Sequence, residues 1–333
     1  MVNNPQFIVY HVYYLFIAMP LEIANVPDIF RPHYHSTYPS YSSGKHLEEI
    51  YYDYFLLHKE TIHTNKVYLP VFWTSYYILH NYGESIHALC DWLETLDPGK
   101  EYFTIVQYAC GIYVAPFSNS HTHESTLSRF NNIMVFSAGG GGINYKKNAM
   151  KQLSFNGYDR WVFVGNPGEH AIPLVCAPTF PNTQSRKDIF CSFMGRIDTH
   201  PCRVKLSELL SRQDKNEYQV FDSVGYDEYV ALLNRSTFTL APRGCGYTSF
   251  RIYEAILAGS IPVYIWSDCM VLPFCDELEW TYFCVILHED TLQHLPAILK
   301  SVDVSAMQKN LKRAQAYMAT DATFDYMKRK LAT

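Results

Sequence analysis

The sequence is short of charge, of paired cysteines and of long apolar runs. Only 18% of its 333 residues are Asp, Glu, Lys or Arg, and the formal net charge is −5. Basic residues gather only into short clusters such as Lys146-Lys147 and Lys328-Arg329-Lys330. No basic face is therefore expected to take a nucleic-acid backbone, and nucleic acid is excluded as a partner. The nine cysteines are scattered and odd in number, with no C-x-x-C pair. That pattern argues against a disulfide framework or a zinc site of the usual kind, and for reduced thiols. Residues 7–19 form an apolar run interrupted by His11. It is too short to span a bilayer, and residues 1–6 lack the basic residue that would begin a signal peptide. The sequence thus predicts no transmembrane segment.

What is present describes a globular α/β protein. Apolar residues make up 48% of the chain, including 27 Tyr and 20 Phe, enough to build one large or two medium cores. The aromatics suit core packing, and bias of the source genome would give the same count. Carbohydrate sites favour aromatic platforms, but composition alone places none. Helical spacing marks residues 46–58, 85–96, 204–210, 226–234, 294–300, 304–318 and 321–331. Apolar or β-branched runs predict strands at 66–72, 102–108, 133–136, 161–164, 172–176, 189–194, 218–221 and 283–287. The alternation predicts two successive α/β units, residues 1–182 and 183–333, with a polar linker at 182–187. No internal repeat or low-complexity tail is found.

The most informative stretch is residues 236–265, STFTLAPRGCGYTSFRIYEAILAGSIPVYI. A β-branched and aromatic run to Ala241 reads as a buried strand, and 261–265 as a second. Between them Phe250, Tyr253, Ile256 and Leu257 recur at helical spacing, closed by Gly259 where a helix C-cap is expected. Strand, helix and strand make a βαβ unit of a parallel sheet. The connecting loop holds Arg243, Gly244 and Gly246, which admit a ligand close to the backbone, and the following helix directs free N–H groups at the same place. Ser249 and Arg251 add a hydroxyl and a fixed positive charge, which suits a diphosphate. Glu254 lies one turn further along roughly the same face, where a carboxylate accepts hydrogen bonds from ribose hydroxyls. The plainer alternative is a surface pair between Arg251 and Glu254.

These residues also carry a resemblance. Residues 234–285 contain F-x-L-x-P-R-G-x-G, then S-x-R-x-x-E-A, then G-x-I-P-V, then L-P-F-x-D-x-L-x-W. Four motifs in this order resemble the exostosin family of glycosyltransferases. The segment VYLPVFWTSYY is similar to that family's N-terminal half, where an apolar strand with proline precedes an aromatic-rich turn. An F-x-G segment with Gly195 and Arg196, and Arg203 opening the next helix, match the family as well.

The resemblance implies an α/β fold of GT-B type, two Rossmann-like domains facing each other across a cleft. The N-terminal domain would bind the acceptor and the C-terminal one the nucleotide sugar, with the last helices packing back toward the N-terminal domain. It implies an inverting transfer from a nucleotide-sugar donor, UDP- or GDP-linked, to a hydroxyl of an oligosaccharide or glycoconjugate. Arg243, Gly244 and Gly246 would face the phosphates, Ser249 and Arg251 would touch the diphosphate, and Glu254 the ribose. Gly195 and Arg196 are further donor-site candidates. Many relatives are anchored in the secretory pathway by a membrane helix, so the expectation here is a cytoplasmic chain or one lacking its anchor.

No D-x-D motif occurs, so transfer is expected to be metal-independent and to need no cofactor, with Arg243, Arg251 and the helix N-terminus stabilising the leaving diphosphate. His33 with His35, and His121 with His123, form H-x-H pairs without a matching set of further ligands. The catalytic base is expected in the N-terminal half, where His35, His123 and Glu124 are candidates. Two other classes fit parts of the pattern. An inactive nucleotide-sugar or glycan binder would keep the donor site without a base. A dinucleotide oxidoreductase would use the G-x-G loop, but Ser249 stands where its third glycine belongs.

Overall fold

A computed structural model describes residues 19–34, 44–80, 86–108, 130–139, 150–155, 158–163, 170–176, 186–244, 246–267 and 270–332. Two parallel sheets follow one another along the chain. The first joins β1 (Lys66–Tyr68), β2 (Glu101–Val106), β3 (Ile133–Ser137) and β6 (His170–Ala171) in that order, every pair parallel. Its side chains alternate with a period of two. Val67, Tyr102, Ile133 and Val135 enter a cluster with Trp73, Tyr76, Leu89 and Leu93. Tyr68, Phe103, Ile105 and Phe136 enter another on the opposite face.

Two prolines shorten this sheet. The sequence predicts strands over 66–72 and 172–176, whereas β1 ends at Tyr68, and β6 precedes residues 172–176, none of which is strand. Pro70 and Pro173 lack the N–H a ladder needs. After β1 the chain enters a helix, Trp73–Leu79, where the sequence suggested an aromatic-rich turn. Its start is satisfied by a distant side chain. The buried Glu48 accepts from the Thr74 N–H at 3.1 Å, the Thr74 hydroxyl at 2.7 Å and the Gln107 N–H at 3.1 Å. Glu48 lies in helix α1, Leu47–His58, and so ties α1 to the carboxyl ends of β1 and β2. A hairpin of β4 (Met150–Phe155) and β5 (Tyr158–Phe163) stands apart from both sheets. Only its second strand was expected.

The second sheet has the order β11-β10-β9-β7-β8. Its strands are β7 (Ile189–Met194), β8 (Tyr218–Phe221), β9 (Ser236–Pro242), β10 (Ile261–Trp266) and β11 (Val285–His288), all parallel. Counted along the chain the order is 2-1-3-4-5, that of a doubly wound sheet whose progression reverses between β7 and β9. Helices Pro201–Leu210, Tyr226–Arg235 and Phe250–Leu257 form the crossovers. Phe193, Phe238, Leu240, Val263 and Ile265 pack against Leu206, Leu210, Leu295 and Leu299 on one face. The junction read from the sequence is present: β9, a helix capped by Ser249, Gly259 at φ 67°, then β10 paired to β9.

Helix Thr320–Leu331 touches both units. Phe324 packs against Tyr54, Phe55 and His58, with ring centroids 5.0–5.3 Å apart. The Tyr54 hydroxyl donates to Asp321 at 2.5 Å, and the Thr64 hydroxyl to the Leu331 carbonyl at 2.7 Å. The opposite side reaches residues 272–280 of the second unit. Tyr326 stacks edge-on against Phe274 at 4.7 Å, Arg329 binds Glu277, and Lys330 binds Asp276. Phe324→Ala is expected to cost about 3–5 kcal/mol of stability, read by urea unfolding. Arg329→Ala, on an exposed pair, should cost less than about 1 kcal/mol.

Candidate functional site

In an open parallel sheet a ligand sits beyond the carboxyl ends of the strands, where the strand order reverses. Here that place lies between the end of β7 and the end of β9. The loops leaving them are residues 195–200 and 243–249, the two segments singled out in the sequence. Arg203, from the first turn of helix Pro201–Leu210, joins them. Its guanidinium donates to the Arg196 carbonyl at 2.9 Å, the Arg243 carbonyl at 2.8 Å and the Pro242 carbonyl at 3.2 Å. Sequence reading saw Arg203 only as the opening of a helix. It is the clamp that holds the two loop starts together.

Arg251 repeats the arrangement one layer away. Its Nε donates to the Met194 carbonyl at the end of β7, and its guanidinium lies over the Phe193 ring, 5.3 Å from the centroid. Arg243 is the third: it is 1% exposed and lies over Tyr247 at 5.2 Å. Three guanidinium groups thus gather where the sheet reverses, with the N–H groups of helix Phe250–Leu257 beside them.

The loop glycines have a role the sequence did not suggest. A Cβ on Gly244 would stand 2.9 Å from Nη2 of Arg203. A Cβ on Gly195, whose φ of 139° also disfavours a side chain, would collide with the guanidinium of Arg251. The sequence expectation had the missing side chain of Gly244 admitting a ligand to the backbone, and placed Gly195 only as a further donor-site candidate. In the structure the room is filled by guanidinium groups. Arg196 is exposed and forms a two-bond pair with Asp198 at 2.8 and 3.1 Å.

Ser249 caps the helix: its hydroxyl accepts from the Arg251 N–H at 3.4 Å and from Arg251 Nη1 at 3.3 Å. Glu254 does not form the plain surface pair with Arg251. It is 8% exposed and accepts from the Tyr229 hydroxyl, presented by helix Tyr226–Arg235. Burial raises its carboxyl above the ordinary value of 4.5, against the opposing pull of the Tyr229 hydrogen bond and the Arg251 charge. Tyr264 on β10 fixes the far side of the loop. Its hydroxyl donates to the Tyr247 carbonyl at 2.9 Å and accepts from the Val271 N–H at 3.0 Å. Tyr229 and Tyr264 carried no signal in the sequence, because only the strand order brings them to the loop.

The base candidates His35, His123 and Glu124 lie outside the described residues, as do His121 and the glycine run at 140–142. His33 of the first H-x-H pair is described, and its Nδ1 is 2.7 Å from Glu49. Among the described residues no group of three or more His, Cys, Asp or Glu could hold a metal ion, and no helix is long and apolar enough to cross a membrane.

Two parallel α/β sheets in succession, with the arginine-lined junction in the second, have the layout expected of a GT-B fold. The Exostosin GT47 domain matches residues 116–302, more than half of the chain. The chain belongs to the exostosin GT47 family, a family of glycosyltransferases. A probable glucuronosyltransferase of Oryza sativa subsp. japonica is 29% identical over 153 residues, 43% of this chain and 36% of the relative. Exostosin-1 of Drosophila melanogaster is 39% identical over 90 residues, 27% of this chain and 11% of that protein. The exostosin-1 homolog of Caenorhabditis elegans is 37% identical over 95 residues, 26% and 25% of the two chains. The matches thus take in about a third or less of these relatives' own length. Among solved structures, the pneumococcal O-GlcNAc transferase GtfA in complex with UDP and GlcNAc aligns at TM-score 0.37 and 11% identity, over 74% of this chain and 59% of that one. Acinetobacter baumannii MurG aligns at 0.35 and 11%, over 84% and 75%.

Two outcomes test this geometry without any ligand. Gly195→Ala should cost about 2–4 kcal/mol through strain and overpacking. In an Arg251→Ala background the cost should fall by about 1 kcal/mol or more, because the colliding group is gone; additive losses in urea unfolding would contradict the contact. For Glu254 the folded state holds its proton to higher pH than the unfolded state. Its contribution to stability is therefore greatest below pH 4.5 and is lost as pH rises through the raised value. Glu254→Gln should flatten the stability profile across that window, measured by denaturation at a series of pH values.

Proposed function

We propose that the chain transfers a sugar from a nucleotide-sugar donor to a glycan hydroxyl, with inversion and without a metal ion. The observation that carries this reading is the convergence of Arg203, Arg243 and Arg251 at the reversal of the second sheet. Family membership supports the reaction class, and the geometry supports the division of labour.

In such a reaction the acceptor oxygen forms a bond to the anomeric carbon while the bond from that carbon to the diphosphate oxygen breaks. The electron pair leaves on the phosphate, and a base takes the acceptor proton. Charge thus builds on the diphosphate. Arg243, Arg251, the loop at Gly244 and Gly246 and the cap of helix Phe250–Leu257 are the groups proposed to stabilise it. Because Arg203 and Arg251 are already held on carbonyls, little reorganisation accompanies the reaction. Glu254, with Tyr229 beside it, is proposed to accept from the ribose hydroxyls. Residues 183–333 would then hold the donor and residues 1–182 the acceptor. The name of the rice relative makes a nucleotide-linked glucuronate one donor to include among UDP- and GDP-sugars.

A donor that binds only the folded state raises its stability by mass action, by about 2.7 kcal/mol at a hundredfold excess over Kd. Thermal-shift screening of those sugars should therefore find one that raises Tm. For that ligand Arg251→Ala and Glu254→Ala should each weaken binding by about tenfold or more while the protein stays folded. Unchanged calorimetric affinity in either variant would remove that residue from the site. Transfer should survive chelation; activity lost to a chelator and restored by manganese would overturn the metal-independent part alone.

A further inference from the structure

Two helices carry the groups proposed to meet the ribose. Glu254 lies in helix Phe250–Leu257, and the Tyr229 hydroxyl that bonds one of its carboxylate oxygens comes from helix Tyr226–Arg235. Among the described residues no hydrogen bond is made to the other oxygen. Where that second oxygen stands depends on how the two helices are spaced. The apolar cluster they share is small: Leu232, Leu233 and Ala258 are buried in it beside Ile189 and Met194.

Lys187 supplies a second polar bridge between the same helices. It stands at the end of the polar linker, just before β7. Its Nζ donates to the Leu233 carbonyl at 3.5 Å and to the Ala258 carbonyl at 3.0 Å. Leu233 follows Tyr229 by four residues, and Ala258 follows Glu254 by four. Residues four apart share a helix face, one turn or about 6 Å along the axis. The Tyr229–Glu254 bond and the Lys187 amine thus join the same two faces at successive turns.

The amine has no carboxylate to balance it, since both its acceptors are backbone carbonyls. They belong to the last turns of the two helices, where the helix dipole favours a cation. Burial lowers the amine to about 8, so its charge is held there at a cost. An ordinary surface lysine keeps its amine in water instead. The next residue, Asp188, accepts two bonds from Arg235 at 2.9 Å, which fixes the backbone from which Lys187 reaches.

We infer that Lys187 is a positioning residue for the donor, setting the spacing of the two helices and so holding Glu254 where it accepts from the ribose hydroxyls. The inference rests on the donor-site reading above. Calorimetry on the full chain would use UDP and GDP, each beside its 2′,3′-dideoxy analogue, which lacks the hydroxyls that Glu254 would bind. The wild type should prefer a nucleotide to its analogue. Lys187→Met keeps the apolar stem and removes the amine. It should weaken that nucleotide about three- to tenfold and leave the analogue unchanged. Added to Glu254→Ala it should cost nothing further, because the carboxylate it positions is gone. Equal weakening of nucleotide and analogue would mark a general structural loss and overturn the inference, as would an unchanged preference in the folded variant. If Lys187→Met fails to fold, Lys187→Gln, neutral and one bond shorter, decides by the same comparison. A wild type that binds neither nucleotide, or binds without preferring it to the analogue, ends the ribose role of Glu254 and the inference with it. If Glu254→Ala abolishes the preference while Lys187→Met keeps it, the inference alone fails.

Discussion

The site depends on one kind of contact, a guanidinium bonded to the backbone carbonyls at the ends of parallel strands. Such carbonyls lose their ladder partners where the strands stop, and buried ones must be satisfied some other way. Arg203 takes those of Pro242, Arg243 and Arg196, and Arg251 takes that of Met194. The same bonds hold the cationic groups at the sheet reversal, so structural satisfaction and ligand electrostatics come from the same atoms. Gly195 and Gly244 follow from this arrangement. Their missing side chains are the space into which the arginines fit.

Helix Thr320–Leu331 joins the two units. One side completes the aromatic group of Tyr51, Phe55, Tyr68 and Phe103, and the other grips the turn at Phe274. That turn holds Phe274 at φ 54°, outside the usual range for a residue with a side chain, and Trp280 locks it by donating to the Pro273 carbonyl at 2.7 Å. The motif L-P-F-x-D-x-L-x-W is thereby accounted for within the fold. Its Phe, Asp and Trp build the platform on which the helix rests.

Local features of this fold were legible in the sequence, and distant ones were not. The β9–helix–β10 junction was read correctly because its signals are adjacent: a strand run, a Ser cap, helical spacing and a closing glycine. The end of β1 and the expected strand at 172–176 differ from the structure because apolar character continues past Pro70 and Pro173 while the hydrogen-bond ladder does not. The hairpin of β4 and β5 has a purely local signal, the dipeptide Asn156-Gly157 between two short runs. At the site, Arg243, Arg251 and Glu254 stood out by type and spacing. The clamp of Arg203 and the Tyr229 partner of Glu254 did not. They join residues 40 and 25 positions apart, and only the 2-1-3-4-5 order makes them neighbours.

The contact between Tyr54 and Asp321 spans 267 residues of chain. On the ribosome, where synthesis runs at about 5–20 residues per second, the aromatic face of α1 is made early and covered late. Tyr51, Tyr54 and Phe55 wait for Phe324, Met327 and Leu331 while the whole second sheet is still being translated. Until that helix emerges, the aromatic face of α1 is left without its cover, while the core on the other side of the first sheet is built from residues of the first unit alone.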